Sequence, residues 1–197
     1  MADYYAKAAG SILAANAWNT LANGTGTNAT FADGNAGSYV LDLNGLAMTS
    51  SNGTTLTCGL LQATTGTITL TGTLTINGKI LYSGTSTGGM VIVPDGATLT
   101  VVGPGSGNAV NTGAGNTSYA IVTSGSGSVS ITNTGSVAVN GGGSNQSRTV
   151  YFPTGTTGTL DITGNVVGNS ALGYSVYNNS SGASTLHGNI SCTYQAI

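Results

Sequence analysis

Charge is what this sequence has least of. Only 4% of its 197 residues are Asp, Glu, Lys or Arg, where globular chains carry about 25%. Glutamate is absent, and the acids are Asp3, Asp33, Asp42, Asp95 and Asp161. The cations are Lys7, Lys79 and Arg148. Three scattered cations and a net charge of −2 exclude a surface that neutralises nucleic-acid phosphates, and equally a polybasic membrane anchor. No apolar run approaches the roughly 20 residues of a membrane helix, so no membrane insertion is expected. The opening MADYYAKAAGSILAANAW lacks the basic start and apolar stretch of a secretory leader; either the chain stays where it is made until lysis, the expectation that the leading Met favours, or a leader has been removed.

Chemically versatile side chains are equally scarce. His187 is the single histidine, and Cys58 and Cys192 are the only cysteines. In Leu56-Thr-Cys58-Gly-Leu60 and Ile190-Ser-Cys192-Thr-Tyr194 each cysteine shares the parity of its apolar neighbours. Both read as small buried hydrophobes too far apart to bridge. A glycosidase needs two carboxylates about 5–9.5 Å apart, whereas Asp42 and Asp161 are expected about 20 Å apart at the parallel-strand spacing. Asp95 and Asp33 each precede a glycine and read as turn residues. No calcium-loop spacing and no phosphate loop is present; Gly141–Gly143 reads as a surface loop. The expectation is therefore no catalytic, cofactor-binding or metal-binding residues, and no cofactor.

What the chain has instead is glycine, threonine, serine and asparagine, with Thr, Val and Ile recurring at period two. That alternation is strand chemistry rather than disorder. The pattern also repeats. Leu60–Gly72 aligns without a gap on Val91–Gly103, 31 positions on, and the unit returns near Ala120, Val150 and Val176. Self-similarity at this period predicts an all-β, right-handed, single-stranded parallel β-helix (β-solenoid), with about three strands per coil of about 25–31 residues. Residues 1–35 read as an N-terminal capping or docking segment and 36–197 as the repeat region. Within one coil the strands are expected at Ala120–Val122, Ser128–Thr132 and Ser136–Val139. Ala120, Val122, Val129, Ile131, Val137 and Val139 should point inward, followed in the next coil by Val150, Phe152, Leu160, Ile162 and Val166. Turns are expected at Asn44-Gly45, Asn52-Gly53, Asn77-Gly78, Asp95-Gly96 and Asn140-Gly141.

Two outward files follow from this alignment. Leu61, Ile92, Ile121, Tyr151 and Tyr177 form an apolar file, read as a subunit interface; the N-terminal segment with Tyr5 and Trp18 is its competing cover. Thr67/Thr69, Thr98/Thr100, Ser128/Ser130, Thr159/Asp161 and Thr185/His187 form a polar file. Ser130, Asp161 and His187 there are not a triad, because Asp rather than His sits in the middle; an Asp161–His187 hydrogen bond between strands is expected instead. At the C-terminus, strand-like residues without a polar cap predict end-stacking through Tyr194 and Ile197.

Low charge, abundant Gly/Thr/Ser/Asn, strand tyrosines and the opening Tyr4-Tyr5-Ala-Lys7-Ala-Ala-Gly10 followed by Trp18 resemble the β-helical fibre, spike and decoration proteins of tailed-phage virions. The resemblance covers the whole chain in style and includes no diagnostic motif. It implies a non-enzymatic structural role in the virion, a homotrimer, contact with other virion proteins, and attachment to a host surface glycan or particle stabilisation. Three alternatives share the composition. One is a secreted adhesin, autotransporter passenger or filament subunit at the cell surface. Another is a polysaccharide-degrading tailspike acting across subunits. The third is an ice-binding β-solenoid, whose flat Thr arrays Thr67-Ile-Thr69-Leu-Thr71 resembles.

Overall fold

The computed structural model describes residues 2–31, 33–85, 88–113, 118–141, 147–168 and 174–192. Its first strands are β1 (Tyr4–Ala6), β2 (Gly10–Ser11), β3 (Trp18–Asn19), β4 (Asn28–Ala29), β5 (Val40–Asp42) and β6 (Ala47–Ser50). The middle of the chain holds β7 (Thr54–Ala63), β8 (Thr67–Leu70), β9 (Thr73–Tyr82), β10 (Val91–Val93), β11 (Thr98–Val102) and β12 (Asn108–Thr112). The remainder holds β13 (Tyr119–Thr123), β14 (Ser128–Gly141), β15 (Arg148–Phe152), β16 (Leu160–Gly168), β17 (Tyr174–Asn178), β18 (Ser184–His187) and β19 (Ile190–Cys192). No helix among the described residues is long and apolar enough to cross a membrane.

The strands form two sheets. The second, of seven parallel strands, runs β17-β15-β13-β10-β8-β6-β2, and the other elements join a twelve-stranded first sheet. In the first sheet the pairing closes a ring. β11 pairs with the front halves of β9 and β14, through Thr98↔Thr73 and Thr98↔Ser128, while β12 pairs with their back halves, through Val110↔Ile80 and Val110↔Val139. Four parallel strands, β9-β11-β14-β12, thus close on one another beside the second parallel sheet.

This ring overturns the expected right-handed single-stranded β-helix of three strands per coil. The fold is all-β and the pairing mainly parallel, but the architecture is a closed four-stranded parallel core with a second parallel sheet. Two physical reasons separate it from the sequence pattern. First, pairs that looked like two strands are one: Ser128–Thr132 and Ser136–Val139 both lie in β14, with a register shift between Thr132 and Val137. Second, the offset between paired strands is not fixed. Leu41 lies opposite Leu61, 20 positions on, whereas Val129 lies opposite Leu160, 31 positions on. The gapless alignment of Leu61 with Ile92 matched residues of different sheets, since Leu61 is in β7 and Ile92 in β10.

The core runs between the sheets. Leu56, Ile76, Val101, Ile131 and Ile162 are opposite one another in the first sheet and at most 3% exposed. Ile68, Val91, Ile121, Val150 and Val176 do the same in the second. Val129, Leu160, Phe152 and Val166 are buried as the alternation predicts. The phase of β13 is not: Ile121 is fully buried and Val122 faces outward, half-buried.

Three of the five expected turns are turns, at Asn44-Gly45, Asn52-Gly53 and Asp95-Gly96; Asn77-Gly78 and Asn140-Gly141 lie inside β9 and β14. Gly78 sits where backbones nearly touch: an added Cβ would lie 2.1 Å from the Cys58 carbonyl oxygen. Gly141 is buried rather than part of a surface loop, and its Cβ would lie 2.6 Å from Ser175 Oγ; Gly142 and Gly143 lie outside the described residues. Asn133 holds the register shift of β14. Buried at 1% exposure, it accepts from the Gly105 N–H at 2.8 Å and donates to the carbonyls of Gly107 and Val137 at 2.9 and 2.8 Å.

The N-terminal residues add to both sheets at one end, β1 on β5 and β2 on β6, with antiparallel pairs β1–β3–β4 beyond. Trp18 is fully buried there, donating Nε1–H to the Ile12 carbonyl at 2.9 Å, and Tyr4 makes edge contacts with Phe31 and Tyr39. Tyr5 lies opposite Asn19 and Asp42. This end is remote from β15 and β17, so neither Trp18 nor Tyr5 covers the outward tyrosines there.

Candidate functional site

The acids come first, because they set what chemistry is available. Four of the five accept backbone N–H bonds. Asp3 accepts from Val40, Asp33 from Asn35, Asp42 from Asn44 and Asp95 from Ser126. Asp95 also accepts the Ser126 hydroxyl at 2.7 Å. The Ser126 N–H, then its hydroxyl, hold this exposed carboxyl below the usual Asp range. Asp161 is exposed on the outer face of the first sheet, opposite Ser130 and Thr185. His187 lies opposite Thr163, two positions along, so the expected Asp161–His187 pairing is replaced by Asp161–Thr185. The polar file is also redrawn. Thr67 and Thr69 belong to the second sheet, and the hydroxyls in line on the first are Thr75, Thr100 and Ser130.

Cys58 is buried and unbridged, and burial pushes its thiol up to about 12. No group of three or more His, Cys, Asp or Glu that could hold a metal occurs among the described residues.

The predicted interface residues separate. Leu61 and Ile121 point into the core, each at 0% exposure and in different sheets. Ile92, Tyr151 and Tyr177 face outward on the second sheet, where the file reads Ile92, Val122, Tyr151, Tyr177. Tyr194 and Ile197 lie outside the described residues. The end before them is open: Leu160, Ile162, Val166, Val176 and Leu186 line a cavity of about 100 Å³, and Ile190 is 49% exposed.

Around Tyr151 the second sheet builds a face that strict alternation hides. β15 and β17 start with the same order, outward, inward, inward, outward, and β13 matches it except that its first residue, Tyr119, is buried at 8% exposure. The four positions read Tyr119-Ala-Ile-Val122, Arg148-Thr-Val-Tyr151 and Tyr174-Ser-Val-Tyr177, with Tyr119, Arg148 and Tyr174 opposite one another. The doubled inward step has a cause. The small second residue reaches across to the first sheet: Thr149 donates to the Asn140 carbonyl at 2.9 Å and lies 2.9 Å from the Thr112 hydroxyl, and Ser175 donates to the Val167 carbonyl. Residues three apart therefore emerge on one side.

Arg148 lies over the rings that result. Its guanidinium carbon is 4.2 Å from the Tyr177 ring centroid, 4.5 Å from Tyr151 and 5.7 Å from Tyr119. Nη1 donates to the Tyr119 hydroxyl at 3.4 Å, while Nε is buried without an acceptor among the described residues. The rings touch in turn, Tyr119–Tyr151 at 4.9 Å, Tyr151–Tyr177 at 5.7 Å and Tyr174–Tyr177 at 5.2 Å. Cation–π contact of this kind contributes about 0.5–1 kcal/mol at exposed sites. Asp3, Asp33, Asp42 and Asp95 accept backbone N–H bonds elsewhere and Asp161 is on the other sheet, so the Arg148 charge has no carboxylate partner among the described residues.

Comparison with family models, with curated proteins and with solved structures gives no match. The site must be read from its own chemistry. Sequence reasoning found Tyr151 and Tyr177 but missed Arg148, Tyr119 and Tyr174. The signal was the recurring order of large, small, β-branched, large at the start of three paired strands.

Proposed function

We propose that this chain is a non-enzymatic structural protein of a phage virion, a fibre, spike or surface decoration, that carries a recognition face for the host surface. The observation that carries this reading is the outward Arg148–Tyr151–Tyr174–Tyr177 cluster, with buried Tyr119 against it, on a chain otherwise almost without charge. Tyrosine and arginine are the residues that dominate recognition surfaces, because they bring large area and directed polar groups at little conformational cost. The carboxylates support the same reading, since four of them accept backbone N–H bonds at separate places rather than pairing across a cleft.

In this reading the chain assembles as a homotrimer, with the tyrosine–arginine face turned away from the threefold axis. A seam through that face would bring three guanidinium groups together with no carboxylate between them, and buried like charges oppose association. The test is direct. Antibody against the chain should label purified particles in electron micrographs, and soluble protein should compete with particles for attachment to cells. Absence from the particle, or release of reducing ends from host polysaccharide by the purified chain, would overturn the proposal.

A further inference from the structure

Building on the attachment reading, we infer that the tyrosine–arginine face is a subsite for a carboxylate-bearing sugar of a host polysaccharide. The argument begins with Arg148. A guanidinium has five N–H donors in a rigid plane that matches a carboxylate, and its faces stack on aromatic rings. Here the rings of Tyr151 and Tyr177 hold the plane, Nη1 reaches the Tyr119 hydroxyl, and Nε is buried with no acceptor among the described residues. The cation is fixed in place, with no carboxylate partner among the described residues. A ligand carboxylate supplies the missing charge and accepts from the Nη donors at the end of the fork.

The rings select what bears that carboxylate. A sugar ring presents C–H groups on one face and hydroxyls at its rim, and the clustered, partly exposed Tyr151, Tyr174 and Tyr177 supply both apolar ring area and phenol hydroxyls. Nucleic acid also stacks on aromatics, but its backbone needs a track of cations. The other two cations are committed elsewhere: Lys7 donates to Asn28 near the N-terminus, and Lys79 lies on β9 of the first sheet. One cation among tyrosines suits one negative charge on an otherwise neutral, hydroxylated ligand.

The full-length protein, labelled with fluorotyrosine, can be titrated with glucuronate, galacturonate and N-acetylneuraminate, with glucose and galactose as neutral controls. The expected result is a saturable shift of the Tyr151 and Tyr177 resonances, assigned through Y151F and Y177F, with at least one acidic sugar and with neither neutral one. Arg148→Gln should weaken that binding at least about tenfold, or roughly 1.4 kcal/mol. Arg148→Lys keeps the charge without the planar fork and should fall between; a circular dichroism melt establishes that each variant is folded. No saturable shift with any acidic sugar, equal shifts with the neutral sugars, an unchanged affinity in folded Arg148→Gln, or equal shifts with an aspartyl dipeptide or a nucleotide would each overturn the inference. The two readings fail separately. Particles that lose attachment on Tyr177→Ala while the protein takes no acidic sugar keep the attachment reading and remove the sugar. A protein that takes the sugar but is absent from the particle keeps the subsite and removes the virion.

Discussion

At the scale of single residues, the strongest constraints are steric and polar rather than apolar. Gly78→Ala should destabilise the fold by about 2–4 kcal/mol in urea unfolding, because the new methyl would meet the Cys58 carbonyl on the neighbouring strand. Gly141→Ser should behave similarly through Ser175. Asn133→Ala removes the three hydrogen bonds of a buried side chain and should cost about 1–3 kcal/mol. Asp95 gives a pH signature. Its carboxyl is held low by Ser126, so its contribution is present above the unfolded Asp value of about 3.9 and is lost as pH falls through the lower folded value. Melting temperature measured down the acid range should therefore fall less steeply for Asp95→Asn than for the wild type; identical profiles would show that the Ser126 contact contributes nothing.

At the scale of elements, the alternation of Thr with Val, Ile and Leu made the strands of the first sheet legible. Val129, Ile131, Leu160 and Ile162 face the core as their parity requires. Ile131→Asp should abolish cooperative folding, since an unpaired buried charge costs several kcal/mol; a soluble, cooperatively melting variant would contradict the assignment. In the second sheet parity misleads. A small hydroxylated residue such as Thr149 is polar by composition yet points inward, because a carbonyl of the other sheet is waiting for it. In β13 the buried small residue is Ala120, and with it Ile121 is core rather than surface. Ile121→Thr and Val122→Thr should thus differ sharply, the first costing about 1–3 kcal/mol and the second little, by chemical denaturation. The fold eluded the repeat for a related reason: β9 changes partner from β11 to β12 across Gly78, and β14 shifts register near Asn133, so one long strand reads as two. Arg148 was invisible as a site residue because its ring partners are three residues away and one strand over, a separation that alternation places on opposite faces.

At the scale of the whole molecule, Cys58 offers a probe of global opening. The thiol is buried and its ionisation pushed up to about 12. In a Cys192→Ser background, alkylation at mildly alkaline pH should proceed only at the rate at which the molecule unfolds, and should follow denaturant in step with the loss of strand signal. Rapid alkylation of native protein would show that β7 opens locally. The ring of β9, β11, β14 and β12 bears on a different kind of resilience. The link between β11 and β12 crosses the exposed residues Pro104 to Gly107, yet each of those strands is tied separately to both β9 and β14. A protease that cuts this link severs the polypeptide without severing the sheet. The two fragments should remain a single non-covalent particle, separable only in denaturant, so that a cleaved chain and a folded chain can be the same object.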